Sequence, residues 1–208
     1  MVSGFSTHLP SQRLAGCAAR APRILVGGTT QSASQVQDGT LCPARVAREN
    51  KGGAMSKTSD RLKELGIELP ESSTPAGNYV PSFRVGNLVY LSGVGPRQAD
   101  GTLMLGKLGD DLSVEQGYEA ARLCCLQLLV NLQKEIGDLD KVVHFVKLLG
   151  MVNATPDFTQ PPAVINGCSD LLVEVLGDRG RHARSAVGLA ALPGGMAVEI
   201  EAIIQVAD

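Results

Sequence analysis

Tryptophan is absent, and the chain holds only three tyrosines and four phenylalanines. So few rings leave little surface on which nucleobases could stack, and the core must be built from Leu, Val, Ile and Ala. Long apolar runs are missing too. None approaches the roughly 18 residues that a membrane-spanning helix needs, so no membrane partner is expected. Charge of one sign is also scarce: a formal net charge of −2 and a pI of about 5.9 provide no basic footprint for nucleic acid. None of the cysteines (17, 42, 124, 125 and 168) sits in a CxxC pair or at ligand spacing from His8, His144 or His182. No metal or other cofactor is therefore expected, and the cysteines read as buried free thiols.

Composition changes along the 208 residues. Residues 1–54 carry Arg13, Arg20, Arg23, Arg45, Arg48 and Lys51 against only Asp38 and Glu49, with many Ser, Ala, Gly and Gln and no apolar period. An Arg-rich, Ser-rich, acid-poor leader is how an organelle transit peptide looks, which would place the protein in the mitochondrion. The alternative is an untranslated upstream stretch with Met55 as the true start and a cytoplasmic protein. Either way residues 1–54 are expected to be disordered, and residues 55–208 to form the folded domain.

Within that domain, residues 58–66 read as a short helix stopped by Gly66. Residues 79–85 and 88–94 read as strands joined by a tight turn at Gly86-Asn87. A loop with one short strand near residues 102–105 follows. Ser113-Val114-Glu115-Gln116 is a capping box, and Ala121, Cys125, Leu128, Leu132 and Ile136 then recur at helical spacing until Gly137. Residues 142–149 are strand-like. Pro161-Pro162 opens a second helix with Val164, Cys168, Leu171, Leu172 and Val175 inward and Gly177 as its stop. Two long helices can cover only one face of a five- to six-stranded sheet, an α+β arrangement that leaves the other face to solvent or to another subunit.

The chain closes on two alternating runs around Pro193-Gly194-Gly195, which read as a hairpin. In the second run Val198, Ile200, Ala202 and Ile204 form one apolar face, while Glu199 and Glu201 belong to the other. In the first run Arg184 leads a row of small residues, Ala186, Gly188 and Ala190. This reading puts Arg184 and Glu199 together on the bare sheet face. A guanidinium there offers two parallel donors matched to a carboxylate; the plainer alternative is a surface salt bridge from Arg184 to Glu201.

The run ARSAVGLAALPGGMAVEIEAI resembles the C-terminal signature of the Rid (YjgF-type, reactive intermediate deaminase) family. Gly77-Asn78-Tyr79 followed by VGNLVYLSGVGP, and VVHFVKLL before the last helix, agree with it in order. The resemblance implies a chorismate-mutase-like fold that assembles as a homotrimer with ligand sites in the clefts between subunits. It also implies roles for residues of this chain. Arg184 would pair with the carboxylate of a small 2-imino or 2-enamino acid, assisted by the backbone N–H of Ala186, and Glu199 would position water and relay a proton. Tyr79, Ser92 and Asn166 would line the site. Ala186 stands where the family often has Cys, and the stretches 96–112 and 151–162 are longer than in compact members.

The implied activity is hydrolysis of 2-iminopropanoate or 2-iminobutanoate to a 2-oxo acid and ammonia. The alternative is a trimeric carboxylate-binding or interaction protein without turnover. A third reading, the endoribonuclease label that the family has carried, is disfavoured by the acidic pI and the lack of a basic stripe. Asn153-Ala154-Thr155 is a formal glycosylation sequon that matters only in a secreted protein.

Overall fold

The computed structural model describes residues 58–72, 75 and 77–208. The expected leader lies outside the described residues, as do His8, Cys17 and Cys42. The elements run α1 (Thr58–Glu64), β1 (Ser82–Val85), β2 (Leu88–Val94), α2 (Val114–Ile136), β3 (Val142–Asn153), α3 (Pro161–Leu176), β4 (Ala183–Leu189) and β5 (Val198–Val206). The capping box forms: the Ser113 hydroxyl accepts the Gln116 N–H, and the Gln116 side chain accepts the Ser113 N–H. α3 begins at its two prolines, which need no partner for the amide protons they lack. β1 and β2 pair antiparallel across Gly86-Asn87, a two-residue turn whose first residue has φ 58°, a left-handed conformation that favours glycine.

The sheet order is β1-β2-β5-β3-β4, with β3 and β4 parallel and every other pair antiparallel. The expected closing hairpin is therefore not formed. β3, the longest strand, lies between β4 and β5, and the segment after β4 crosses its end through a short helical turn at Pro193–Gly195. Both sides are tied there: the Asn153 N–H donates to the Ala197 carbonyl and the Ala154 N–H to the Leu189 carbonyl. A strand–turn–strand pattern looks the same whether or not a third strand sits between the two. Three smaller differences accompany this one. β1 starts at Ser82, because residues 77–79 bend. The expected strand near 102–105 is reduced to isolated bridges, Arg97 with Leu103 and Leu105 with Met196. β3 runs on to Asn153.

The ladder fixes which residues share a face. Arg184, Leu148 and Ala202 form one row across β4, β3 and β5, and Val187, Met151 and Glu199 form another. Leu148 and Ala202 are buried beneath the helices. Glu199 is on the opposite, uncovered face with Glu201 and Ile203. Arg184 and Glu199 of one chain thus lie on opposite sides of the sheet, and Ala186 and Gly188 face the helix layer with Arg184. This corrects the shared face expected from the sequence: parity transferred through an assumed hairpin fails once another strand intervenes.

α2 and α3 cover one face with a core of Val89, Leu91, Phe145, Leu148, Val152, Val198, Ile200 and Ile204 against Ala121, Cys125, Leu128, Leu132, Val164, Cys168 and Leu172. Cys124, Cys125 and Cys168 are buried free thiols. The two helices touch at Gly167, where a Cβ would fall 1.9 Å from the Tyr118 carbonyl oxygen. The uncovered face displays apolar side chains: Phe83 is 64%, Tyr90 43% and Val187 39% exposed.

Candidate functional site

Arg184 stands near the start of β4, half-buried against α3. Its Nη1 donates to Asn166 Oδ1 and to Ser169 Oγ, both at 2.9 Å, and its Nη2 reaches the Pro162 carbonyl at 3.4 Å. Nη1 has two hydrogens, so these bonds occupy it. Among the described residues nothing bonds the Nε–H, which with Nη2 forms the other edge of the planar group, the two-donor edge that a carboxylate accepts. Among the described residues all its partners are uncharged, and Glu201 is on the far side of the sheet, so Arg184 and Glu201 of one chain form no salt bridge. Asn166 and Ser169 are three residues apart on α3 and so share a helix face. Ala186 follows on β4, paired with Gly150 and packed against the core.

Ser169 was not indicated by the sequence, nor was the role of His182. His182 Nε2 lies 3.0 Å from Ser169 Oγ, and its Nδ1 lies 2.7 Å from the Gly180 carbonyl. Burial pushes the His182 pKa below the ordinary value of 6.5, a shift that its hydrogen bond to Gly180 opposes and that the charges of Arg184 and His144 reinforce. Spacing alone could have suggested that residues 166 and 169 act together. Only the parallel seat of β4 brings residue 182 to them.

Glu199 belongs to a second cluster. Its carboxylate lies across from Gly93 in the irregular end of β2, so close that a Cβ at residue 93 would fall 2.1 Å from Oε1. Partial burial, and then the neighbouring Glu201 charge, raise its pKa above 4.5. Among the described residues no hydrogen-bond partner reaches this carboxylate. Ser92, next to Gly93, donates its hydroxyl to the Val80 carbonyl at 2.7 Å and its N–H to the Pro81 carbonyl at 3.0 Å, which pins the 77–81 bend to β2. Tyr79 stands in that bend, 51% exposed. Tyr79, Ser92, Gly93 and Asn131 surround a cavity of about 30 Å³, roughly the volume of one water molecule. Asn131, from α2, was also not indicated by the sequence; its Oδ1 accepts the Ser72 hydroxyl at 3.0 Å.

The expected residues thus fall into two groups. Arg184 and Asn166 meet on the α3 side of β4, and Tyr79, Ser92 and Glu199 gather around the end of β2. One chain does not join them. The two long stretches meet elsewhere: Lys107 and residues 154–158 enclose a 540 Å³ cavity with Gly188, Leu189 and Ala190 at the end of β4. The sequon asparagine, Asn153, is buried and donates its amide to the Gly106 carbonyl at 2.9 Å, so it serves this loop contact. A larger cleft of 730 Å³, between residues 68–72, 97–101 and α2, contains none of the expected residues; chemistry rather than size selects the site.

Comparison with known proteins agrees with this architecture. The family described as "YjgF/chorismate mutase-like, putative endoribonuclease" matches residues 59–196. The chain is similar to Protein TCP17 of Trypanosoma cruzi, with 44% identity over 153 residues, which are 73% of this chain and 96% of that protein. Among solved structures it is similar to the protein Atu1372 from Agrobacterium tumefaciens, of unknown function, at 42% identity and a TM-score of 0.67; the match covers 72% of this chain and 92% of the other. A "putative endoribonuclease" from Shewanella oneidensis matches at 32% identity and a TM-score of 0.70, over 72% of this chain and 99% of its own.

Proposed function

This chain belongs to the YjgF family of Rid proteins, and from that premise we propose that it hydrolyses small 2-imino acids, such as 2-iminopropanoate and 2-iminobutanoate, to 2-oxo acids and ammonia. The observation that carries the reading is the pairing of chemistries in the two clusters. One holds a fixed cation with a two-donor edge; the other holds an acid with a raised pKa, set against Gly93 beside Ser92. Their placement on opposite faces of one sheet supports a site completed between subunits, and the family resemblance makes those the subunits of a homotrimer. Arg184 and Asn166 of one subunit face Glu199, Tyr79 and Ser92 of the next. The exposed apolar side chains Phe83, Tyr90 and Val187 support burial of the open face in such an assembly.

The steps balance without a covalent intermediate. Arg184 binds the substrate carboxylate through Nε–H and Nη2–H and so fixes C2 against the neighbouring acid. Glu199 takes a proton from water as the oxygen bonds to C2, and the imine π electrons move to nitrogen. The carboxyl proton is then delivered to that nitrogen to give a neutral carbinolamine; Glu199 next carries the hydroxyl proton to the amine, the C–N bond breaks, and ammonia leaves as the carbonyl forms. A raised carboxyl pKa suits these transfers, since it makes the acid a better proton acceptor at neutral pH.

The test is turnover of a 2-imino acid generated in situ by an amino-acid oxidase. The wild-type chain accelerates its disappearance, and Arg184→Ala and Glu199→Gln each abolish that acceleration. Mixing the two inactive chains and refolding them together restores activity, up to about a quarter of the wild-type level for random assembly of a symmetric oligomer with shared sites. No recovery would contradict a site shared between subunits. Carboxylate-dependent thermal stabilisation that survives Glu199→Gln, with no turnover by the wild type, would instead establish the binding-only alternative.

A further inference from the structure

His182 and Ser169 lie behind Arg184, away from any contact that the proposed reaction requires, and their hydrogen bonds have only one consistent direction. The Gly180 carbonyl can only accept, so the His182 Nδ1 at 2.7 Å carries a proton. In the neutral ring Nε2 is then a bare lone pair. The Ser169 hydroxyl, 3.0 Å away, must donate to it. That turns the serine's lone pairs toward Arg184 Nη1, which donates at 2.9 Å. The order is therefore Arg184 to Ser169 to His182, with the ring itself fastened to Gly180. Asn166 holds the other Nη1 hydrogen through an acceptor of the same kind, its amide oxygen.

We propose that Ser169 and His182 are positioning residues for Arg184: a one-way hydrogen-bond chain that occupies Nη1 and reserves the Nε–Nη2 edge for the substrate carboxylate. The proposal rests on the reading of Arg184 as the carboxylate anchor. Protonating His182 would reverse its bond to the serine, since Nε2 would become a donor competing with Nη1 for Ser169 Oγ. It would also set a second positive charge near the guanidinium. Among the described residues the charged and titratable groups whose fields reach the ring are Arg184 from β4 and His144 from β3, while α3 and the turn before β4 contact it with the neutral Ser169 and Gly180. Burial lowers the pKa of the ring from its ordinary value and so favours the neutral form; the chain is intact at neutral pH and fails on the acid side.

Two measurements on the full-length protein test this. Nitrogen NMR of the histidines at neutral pH should show His182 as the Nδ1–H tautomer; an Nε2–H tautomer would overturn the chain itself, whatever the activity. Steady-state kinetics on the imino acid should then show Ser169→Ala raising KM about tenfold with kcat within about twofold, the loss of one hydrogen bond to a charged group. Ser169→Thr, which keeps the hydroxyl, should restore KM. His182→Gln, which removes the titrating ring, should lose the rise in KM that wild type shows in acid; a rise that persists in this variant would overturn the part of His182 in the chain. Unchanged KM in Ser169→Ala, with Arg184→Ala inactive, would overturn the positioning role and leave the anchor standing. Arg184→Ala with wild-type KM and kcat would overturn the anchor and the positioning role together, while the tautomer would still be found.

Discussion

Arg184 has both Nη1 hydrogens bonded, to Asn166 and Ser169, whereas the Glu199 carboxylate, also half-buried, has no hydrogen-bond partner among the described residues and has Gly93 against it. The two halves of the candidate site differ in what each charge must do. A guanidinium stays protonated at every relevant pH, so hydrogen bonds to it fix direction without touching its ionisation. A carboxylate that exchanges protons is served by the reverse. Donors would stabilise its charged form and lower its pKa, while desolvation and the Glu201 charge raise it. Under the proposed function, one half is held for orientation and the other is kept clear of protein donors for reactivity.

The largest effect that would sharpen this contrast is expected from Glu199→Gln. It should lower kcat by about a thousandfold, within the range for loss of a general base, while KM changes little. Next, Arg184→Lys should cost about a hundredfold in kcat/KM despite the retained charge. A lysine ammonium cannot reproduce the planar two-donor edge or the fork to Asn166 and Ser169. If lysine is tolerated, the anchor half is not a matter of orientation. Gly93→Ala should reduce kcat about tenfold, because the new Cβ displaces a carboxylate at the end of a flexible side chain, yet melting should shift by only a few degrees. Loss of stability in place of activity would mean that Gly93 serves the strand and not the acid.

The smallest effect concerns stability and pH. A carboxyl whose folded pKa lies above its unfolded value binds its proton more tightly in the folded chain. Its contribution favours folding below pH 4.5 and is lost as the pH rises through the raised pKa. At neutral pH the ionised Glu199 is therefore a modest burden on the fold. Glu199→Gln should melt slightly higher than wild type at pH 7 and show no such gain at pH 4, measured by calorimetry. A lower melting point at pH 7 would mean that the carboxylate is held by favourable contacts, as the guanidinium is.

What the sequence made legible was local. The Ser113–Gln116 capping box, the Pro161-Pro162 helix start and the Gly86-Asn87 turn each depend on residues within a few positions, and each formed. The apolar face of β5 was legible for the same reason, since alternation along one strand needs no partner. The relation between strands was not. Placing Arg184 beside Glu199 required a pairing of β4 with β5, and nothing in residues 183–206 reveals that β3 inserts between them. Ser169, His182 and Asn131 escaped notice because each acquires its role through a contact with another element. A lone Ser on a helix and a lone His before a strand carry no signal by themselves.

The notch at Gly93 ties the permitted size of one residue to the reach of another that is 106 positions away. Aspartate is one methylene shorter than glutamate, so Glu199→Asp alone would leave a gap and Gly93→Ala alone a collision. Together they should fit better than either does separately, and a thermodynamic cycle on kcat would read that compensation as positive coupling between the two sites. In a redesign of this pocket the pair is one unit of choice: the bulk added at the strand end sets the length of the acid facing it.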